Sequence, residues 1–320
     1  MSYLARRILN SALLLLGVSI LTFTIASVAP GEFLEELRLN PRISSATISA
    51  LQKERGLDLS FPLQYLRWLR SALSGDFGTS LTYDRPAGPL MRERAGNTLW
   101  LTGTSTLFSW MIALPFGIWS ATRRGRLPRL AFEGAISVLL SVPELLLGLL
   151  LLLFAVRTGM FPAGGALSFD YSELSFFGKA KDFAKHLFLP ALTLTIGFLP
   201  LLLSHVRNAV AEMLEAPFAL AAYAHGVPFR RLVLRHVLPA AANPLISLFG
   251  LSIGALLSSS VLVEGIYSWP GLGQLLIDSI LQRDFYLTVD TVMLGTIFLI
   301  AGSLFADFLL FLVDPRIRAQ

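Results

Sequence analysis

Apolar residues gather in six long runs, at about 8–29, 99–122, 130–156, 187–206, 244–263 and 291–313. Each is close to or beyond the roughly 20 helical residues that cross a bilayer. The pattern predicts an all-α integral membrane protein with six transmembrane helices, organised as a single transmembrane domain over 1–320. Between the first two runs, 30–98 turns soluble in character and predicts an external insert. Apolar residues there recur at helical spacing (Leu57, Phe61, Tyr65, Trp68, Leu69), which predicts one or two short amphipathic helices, and Gly75-Asp76-Phe77-Gly78 reads as a turn. A second external segment, about 157–186, holds Gly164-Gly165 and three lysines. No internal repeat or low-complexity tract interrupts the pattern.

Composition agrees with the hydropathy pattern. Hydrophobic residues make up 54% of the chain and charged residues 15%, against about a quarter charged in soluble domains. The absence of cysteine excludes disulfides, thiolate catalysis and cysteine-based metal sites. The net charge of +5 comes from loop arginines. Basic and aromatic residues do not interleave on one face as an RNA-binding surface requires, so nucleic acid is not an expected partner; the lipid bilayer is.

The arginines also predict orientation. Arg6 and Arg7, Arg123, Arg124, Arg126 and Arg129, Arg207, Arg230, Arg231 and Arg235, and Arg316 and Arg318 fall on one side. The opposite loop 267–290 has Arg283 against Asp278, Asp284 and Asp290. Both termini are therefore expected in the cytoplasm. The first run is longer than the 7–15-residue apolar core of a cleaved leader and is read as a span.

Within the cytoplasmic segment 207–243 lies Leu220–Pro239, LAAYAHGVPFRRLVLRHVLP. Its alanines favour a short helix with a small-residue face. Gly226 suits a left-handed cap, Pro228 suits the first turn of a second helix, and Arg230, Arg231, Arg235 and His236 supply positive charge. The product is a knuckle shaped for a partner's groove. The spacing resembles the EAA loop of ABC-transporter permeases, E-A-A-x3-G-x9-I-x-L-P. Ala221, Ala222, Gly226, Leu238 and Pro239 match it, while Leu220 stands for the Glu and His236 for the Ile.

The resemblance continues along the chain. Leu21-Thr22-Phe23 with Ala29-Pro30-Gly31, Glu54-Arg55-Gly56-Leu57-Asp58, Gln64-Tyr65 and Gly75–Ser80 are similar to the peptide-transport permeases. So are the Glu264–Gly273 run EGIYSWPGLG, Arg283-Asp284-Phe285-Tyr286 and Asp314-Pro315-Arg316-Ile317-Arg318. The chain looks like the first of the two paired membrane subunits of the dipeptide/oligopeptide/nickel branch. That resemblance implies a type I-like importer fold in the prokaryotic plasma (inner) membrane. The implied partners are a second homologous permease, two cytoplasmic P-loop ATPases and an extracytoplasmic substrate-binding protein. It marks Ala221, Ala222, Gly226, Arg230, Arg231, Leu238 and Pro239 as coupling residues. In that branch two arginines and a lysine usually precede the glycine; Leu220, Tyr223 and His225 stand there instead, so packing is expected to dominate the contact. Nickel or oligosaccharides remain alternative cargoes.

No nucleotide site is visible in this chain. A P-loop needs G-x-x-x-x-G-K-[ST], and the one Gly-Lys pair, Gly178-Lys179, runs into Ala180. ATP and magnesium are thus expected on partner subunits, with no cofactor, metal or catalytic residue here. Glu144 follows Pro143 inside the third run, where the proline predicts a kink and the carboxylate is set either against the pathway or against a neighbouring helix. Glu264 and Trp269 mark an external gate or a stabilised turn. Glu133 is expected to pair with Arg129, and Asp307 to be a structural hydrogen-bond partner. The hydroxyl stripe Thr102, Thr104, Ser105, Thr106 and Ser109 suits helix packing more than a pathway. Gly250 and Gly254, four apart, suit an interface with a second permease. Two other classes stay open: an intramembrane enzyme using Glu144 or Asp307, and a scaffold or receptor recruiting a partner through the basic loop.

Overall fold

The computed structural model describes residues 3–28, 53, 59–80, 82–123 and 125–313. The matches at Ala29–Gly31, Glu54–Asp58 and Asp314–Arg318 lie outside them, as does Leu57. In chain order the elements are α1 (Tyr3–Val28), α2 (Phe61–Leu73), β1 (Thr79–Ser80), β2 (Arg85–Pro86), α3 (Ala87–Thr122), α4 (Arg126–Ser141) and α5 (Glu144–Thr158). A 3₁₀ turn at Tyr171–Glu173 follows, then α6 (Phe176–Glu215), α7 (Pro217–Ala224), α8 (Phe229–Leu232), a π-helical turn Val233–Val237, α9 (Leu238–Ile266), α10 (Leu272–Leu281) and α11 (Phe285–Val313).

Among the described residues, five helical stretches are long and apolar enough to cross a bilayer: Arg6–Val28, Ala87–Thr122, Phe176–Glu215, Phe229–Ile266 and Phe285–Leu312. A sixth candidate is a pair, Arg129–Ser141 and Glu144–Thr158, bent by 84°. The expected kink at Pro143 is therefore a break. Val142 and Pro143 are extended, at ψ 113° and 137°, because a residue before proline is pushed out of the α region. Prolines 115, 190, 200 and 244 stay inside their helices. Apolar spans tolerate such prolines where neighbouring groups and local adjustment accommodate the lost N–H.

The chain packs as two compact units. The first comprises 1–97 and 270–298. Phe23 of α1, Trp68 of α2 and Val289 of α11 form one core, and Ala87, Leu90, Met91 and Ala95 pack with Leu272, Leu275 and Leu287 in another. Helix α2 is amphipathic as the spacing predicts, with Trp68 buried and Arg67 and Arg70 exposed. The strands pair antiparallel, Thr79 with Pro86 and Ser80 with Arg85. Asp284 fixes this hairpin by accepting from the Ser80 hydroxyl at 2.7 Å and the Thr82 amide at 3.2 Å. The Tyr83 hydroxyl donates to Asp278 at 2.9 Å. Burial, then this bond, holds the Tyr83 phenol above its usual range.

The second unit, 98–269 and 299–320, is built around α6. Leu101, Leu189, Leu194, Leu256, Val263, Tyr267 and Trp269 share one core, and Trp110, Ala113, Leu202 and Val206 another. The α3 hydroxyls are internal packing groups. Thr102, Ser105 and Thr106 donate to carbonyls one turn back at 2.7–2.8 Å, the self-bonding that makes hydroxyls cheap in a helix. The small face of α9 is also covered from within. A side chain at Gly250 would collide with Ala306 of α11, and Gly254 lies against Leu299. Gly250 and Gly254 thus face the chain's own α11; the spacing shows that something packs closely, not what.

Candidate functional site

The alanine-rich segment folds as α7, with Pro217 at its first position and Ala216 as N-cap. It ends in a glycine cap: the Gly226 amide donates to Tyr223 and the Val227 amide to Ala222, at 3.0 and 3.1 Å, the paired bonds of a Schellman motif. Gly226 sits at φ +82°, a conformation that costs a side-chain-bearing residue roughly 1–2 kcal/mol. Pro228 caps α8, whose last turn carries Arg230 and Arg231. The expected separate second helix is instead the start of a continuous 38-residue stretch, Phe229–Ile266. The π turn at Val233–Val237 joins α8 to α9 without a gap, and likewise α6 runs on to Glu215, so most of 207–243 is helical.

This knuckle has two faces. Ala219, Leu232 and Val237 are buried with Val210, and Ala222, Val227 and Leu238 pack partly against them. Ala221, Gly226, Arg230, Arg231 and Pro239 are exposed, as are Phe218, Leu220, Tyr223 and Phe229. The outward face therefore combines aromatic and aliphatic groups with two guanidinium groups. Leu220 and Tyr223, which depart from the charged pattern, are 58% and 49% exposed, an apolar area that a groove would have to cover.

In the middle of the second unit the broken span delivers Glu144 as the first residue of α5, where a helix N-terminus favours negative charge. Its carboxyl approaches Gly197 of α6 so closely that a Cβ there would lie 3.2 Å from Glu144 Cγ. The Ser259 hydroxyl of α9 reaches the same carboxyl. Glu144 Oε1 is buried with no hydrogen-bond partner among the described residues. At the end of α4 distant from Pro143, Glu133 Oε1 meets Arg129 Nε and Arg207 Nη2, both at 3.0 Å. The expected Arg129 pair is present, and Arg207 ties α4 to α6 as well.

Glu264 and Trp269 are fully buried, at 0% exposure. The Thr98 hydroxyl donates to Glu264 Oε1 at 2.7 Å, and the Trp269 amide to the Glu264 carbonyl at 2.9 Å. The Tyr267 hydroxyl donates to the Gly148 carbonyl at 3.1 Å, and the Gly165 amide to the Tyr267 carbonyl at 2.9 Å. The 264–269 turn thus serves as a packed corner that gathers α3, α5, α9 and the Gly164-Gly165 segment.

The comparisons with known proteins fit this architecture. Residues 113–319 match the family of the binding-protein-dependent transport system inner membrane component, and 1–86 match its N-terminal membrane-component family. The chain belongs to this permease family. It is 35% identical over 319 residues, 99% of both chains, to the oligopeptide transport system permease protein AppB of Bacillus subtilis. It is 32% identical over 320 residues, again 99% of each, to the glutathione transport system permease protein GsiC of Salmonella typhimurium, and 33% identical over 326 residues, 99% of each, to the oligopeptide permease OppB of Mycobacterium tuberculosis. Among solved structures, an inward-facing MetNI methionine ABC transporter chain superposes with TM-score 0.56 at 22% identity, covering 70% of this chain and 96% of that one. The permease fold is shared with it.

Sequence reasoning on this permease missed what surrounds Glu144. Gly197 carries no signal inside an apolar run, and Ser259 reads only as one of three serines. The signal available was Pro143 itself, since a break places the next residue at a helix start.

Proposed function

We propose that this permease forms half of the translocation pathway of an ATP-driven importer for peptides, works with a second homologous permease, and is loaded by an extracytoplasmic substrate-binding protein. Two separate cytoplasmic ATPases hold the ATP and magnesium and dock on Ala221, Ala222, Gly226, Arg230 and Arg231, with Leu238 and Pro239 anchoring the knuckle to α9. This chain performs no chemistry of its own and carries no cofactor. Both termini and the knuckle lie in the cytoplasm of a prokaryote, and 30–98 faces outward. The observation that carries the reading is the relation to oligopeptide permeases over 99% of the chain, joined to a knuckle whose exposed face is apolar and basic.

Glu144 then acts as the carboxylate that meets a peptide's ammonium group in the pathway, with Pro143 as the break that lets α4 and α5 move separately. Glu264 and Trp269 hold the far corner of the gate rigid while the helices pivot. The test is affinity purification of the tagged chain from native membranes in mild detergent, followed by uptake of labelled dipeptide and nickel by the recovered complex in liposomes. A co-purifying P-loop ATPase and second permease, with ATP-dependent dipeptide uptake, is the expected result. Nickel uptake without peptide uptake would change the cargo, and a chain recovered alone, when control complexes survive the same detergent, would sink the importer reading.

A further inference from the structure

Within the first unit, α2, the Asp76–Gly78 turn, Thr79 and the start of α11 enclose a cleft of ≈ 330 Å³. That lies at the lower end of the roughly 300–1,000 Å³ range of small-ligand sites. The floor is formed by Trp68 and Asp290, which are 6% and 2% exposed; Arg67, Asp76, Gly78 and Thr79 stand at the exposed rim.

Asp290 is poorly provided for. The Trp68 indole donates to its Oδ1 at 2.8 Å, and this is its carboxylate's one hydrogen bond among the described residues. A carboxylate has about four acceptor sites, and one that is buried without a cation loses most of its solvation. Asp284, six residues earlier, shows the contrast: it accepts from Ser80, Thr82 and Leu287 and is used up in holding the hairpin. Asp284 and Asp76, both negative, act on Asp290, and Arg67 is the one cationic side chain that lines the same cleft.

Besides Ser71, the remaining walls are the aromatic Phe77 and Tyr286. Tyr286 lines the cleft with Trp68, and Trp68 is held in place by Phe23 and Tyr65 at ring separations of 5.6 and 5.8 Å. A half-satisfied carboxylate beneath aromatic faces is the lining that suits an organic cation, through ion pairing and cation–π attraction. A metal ion fits less well, because no group of three His, Asp or Glu gathers among the described residues.

We infer that this cleft binds a primary ammonium group, with Asp290 as its carboxylate and Trp68 and Tyr286 as its aromatic walls. The site is separate from Glu144 and does not rest on the importer reading. Two sources share this chemistry: the α-ammonium of a free peptide and the ε-ammonium of a lysine presented by a docked protein.

The experiment follows Trp68 emission in the full chain reconstituted in lipid nanodiscs, taking the difference between wild type and Trp68→Phe. The probes are n-butylammonium, Ala-Ala, N-acetyl-Ala-Ala and N-acetyl-lysine amide. A saturable change with n-butylammonium is expected, weakened at least tenfold in Asp290→Asn, with N-acetyl-Ala-Ala silent on wild type. Tighter binding of Ala-Ala assigns the site to peptide termini, and tighter binding of N-acetyl-lysine amide assigns it to a lysine side chain. The inference is overturned if no ammonium probe responds, if the acetylated dipeptide binds as well as Ala-Ala, or if a folded Asp290→Asn titrates like wild type.

Discussion

Glu144 is the residue on which substrate chemistry and local packing make opposite demands. Its helix-start position suits a negative group and the Ser259 hydroxyl reaches the carboxyl, whereas Oε1 lies buried with no hydrogen-bond partner among the described residues. An incoming ammonium would satisfy that oxygen, and a charge-assisted hydrogen bond contributes about 1.5–3 kcal/mol. Glu144→Gln should therefore raise the KM for a free-amine dipeptide by roughly ten- to a hundredfold, with little effect on an N-acetylated one. Equal effects on both peptides would return Glu144 to a packing role. Gly197 offers an independent check, because alanine there must push Glu144 Cγ from 3.2 Å. Gly197→Ala should lower uptake while leaving the complex assembled, measured on the same purified preparation. The sequence pointed to Glu144 through Pro143, a neighbour in the chain. Gly197 and Ser259 were illegible because only the fold brings three helices to one point, and the same holds for Trp68 and Asp290, which are 222 residues apart.

Among the elements, the knuckle was the most legible because its signals are local: alanines, a glycine at the required spacing, a proline and arginines. Its continuity with α9 was not, since π-helical winding at Val233–Val237 leaves no mark in composition. A Cβ at Gly226 would meet nothing within 4 Å, so replacing the glycine costs backbone strain rather than a clash. Gly226→Val should strain the cap by about 1–3 kcal/mol, shift α7 against α8 and reduce ATPase binding to the purified chain, while Gly226→Asn, which tolerates the left-handed region, should retain most of it. Identical ATPase binding by both would leave the cap without a coupling role. Helix α9 gives a second contrast. Gly250→Leu must displace Ala306, and overpacking costs about 1–3 kcal/mol, so the thermal midpoint of the detergent-solubilised chain should fall. Gly254→Ala makes only 3.6–3.7 Å contacts with Leu299 and should leave the midpoint near wild type. The glycine spacing was visible in the sequence and its partner was not, because a small face is the same whether an internal helix or a second subunit covers it.

For the molecule as a whole, function depends on which side of the membrane each feature occupies. The positive-inside bias puts Arg123, Arg129, Arg207, Arg230, Arg231 and Arg235 on one side. Among the described residues, five uninterrupted spans and one broken one make an even number of crossings if the bent pair traverses the bilayer. An even number would return the end of α11 to the side on which α1 begins, where Arg6 and Arg7 lie. If the bent pair instead dipped in and left on the same face, the knuckle and the α2 region would be related by the wrong parity, and an ATPase could not dock where the arginines lie. The absence of cysteine makes this directly measurable, because a single introduced thiol is labelled without background. Arg231→Cys and Ser74→Cys both replace exposed residues outside the packed cores. A membrane-impermeant maleimide should label Ser74→Cys in right-side-out vesicles and Arg231→Cys only in inverted ones. Labelling of both from the same side would show that the bent pair does not cross, and the reverse pattern would place the knuckle outside and remove the cytoplasmic ATPases from the mechanism.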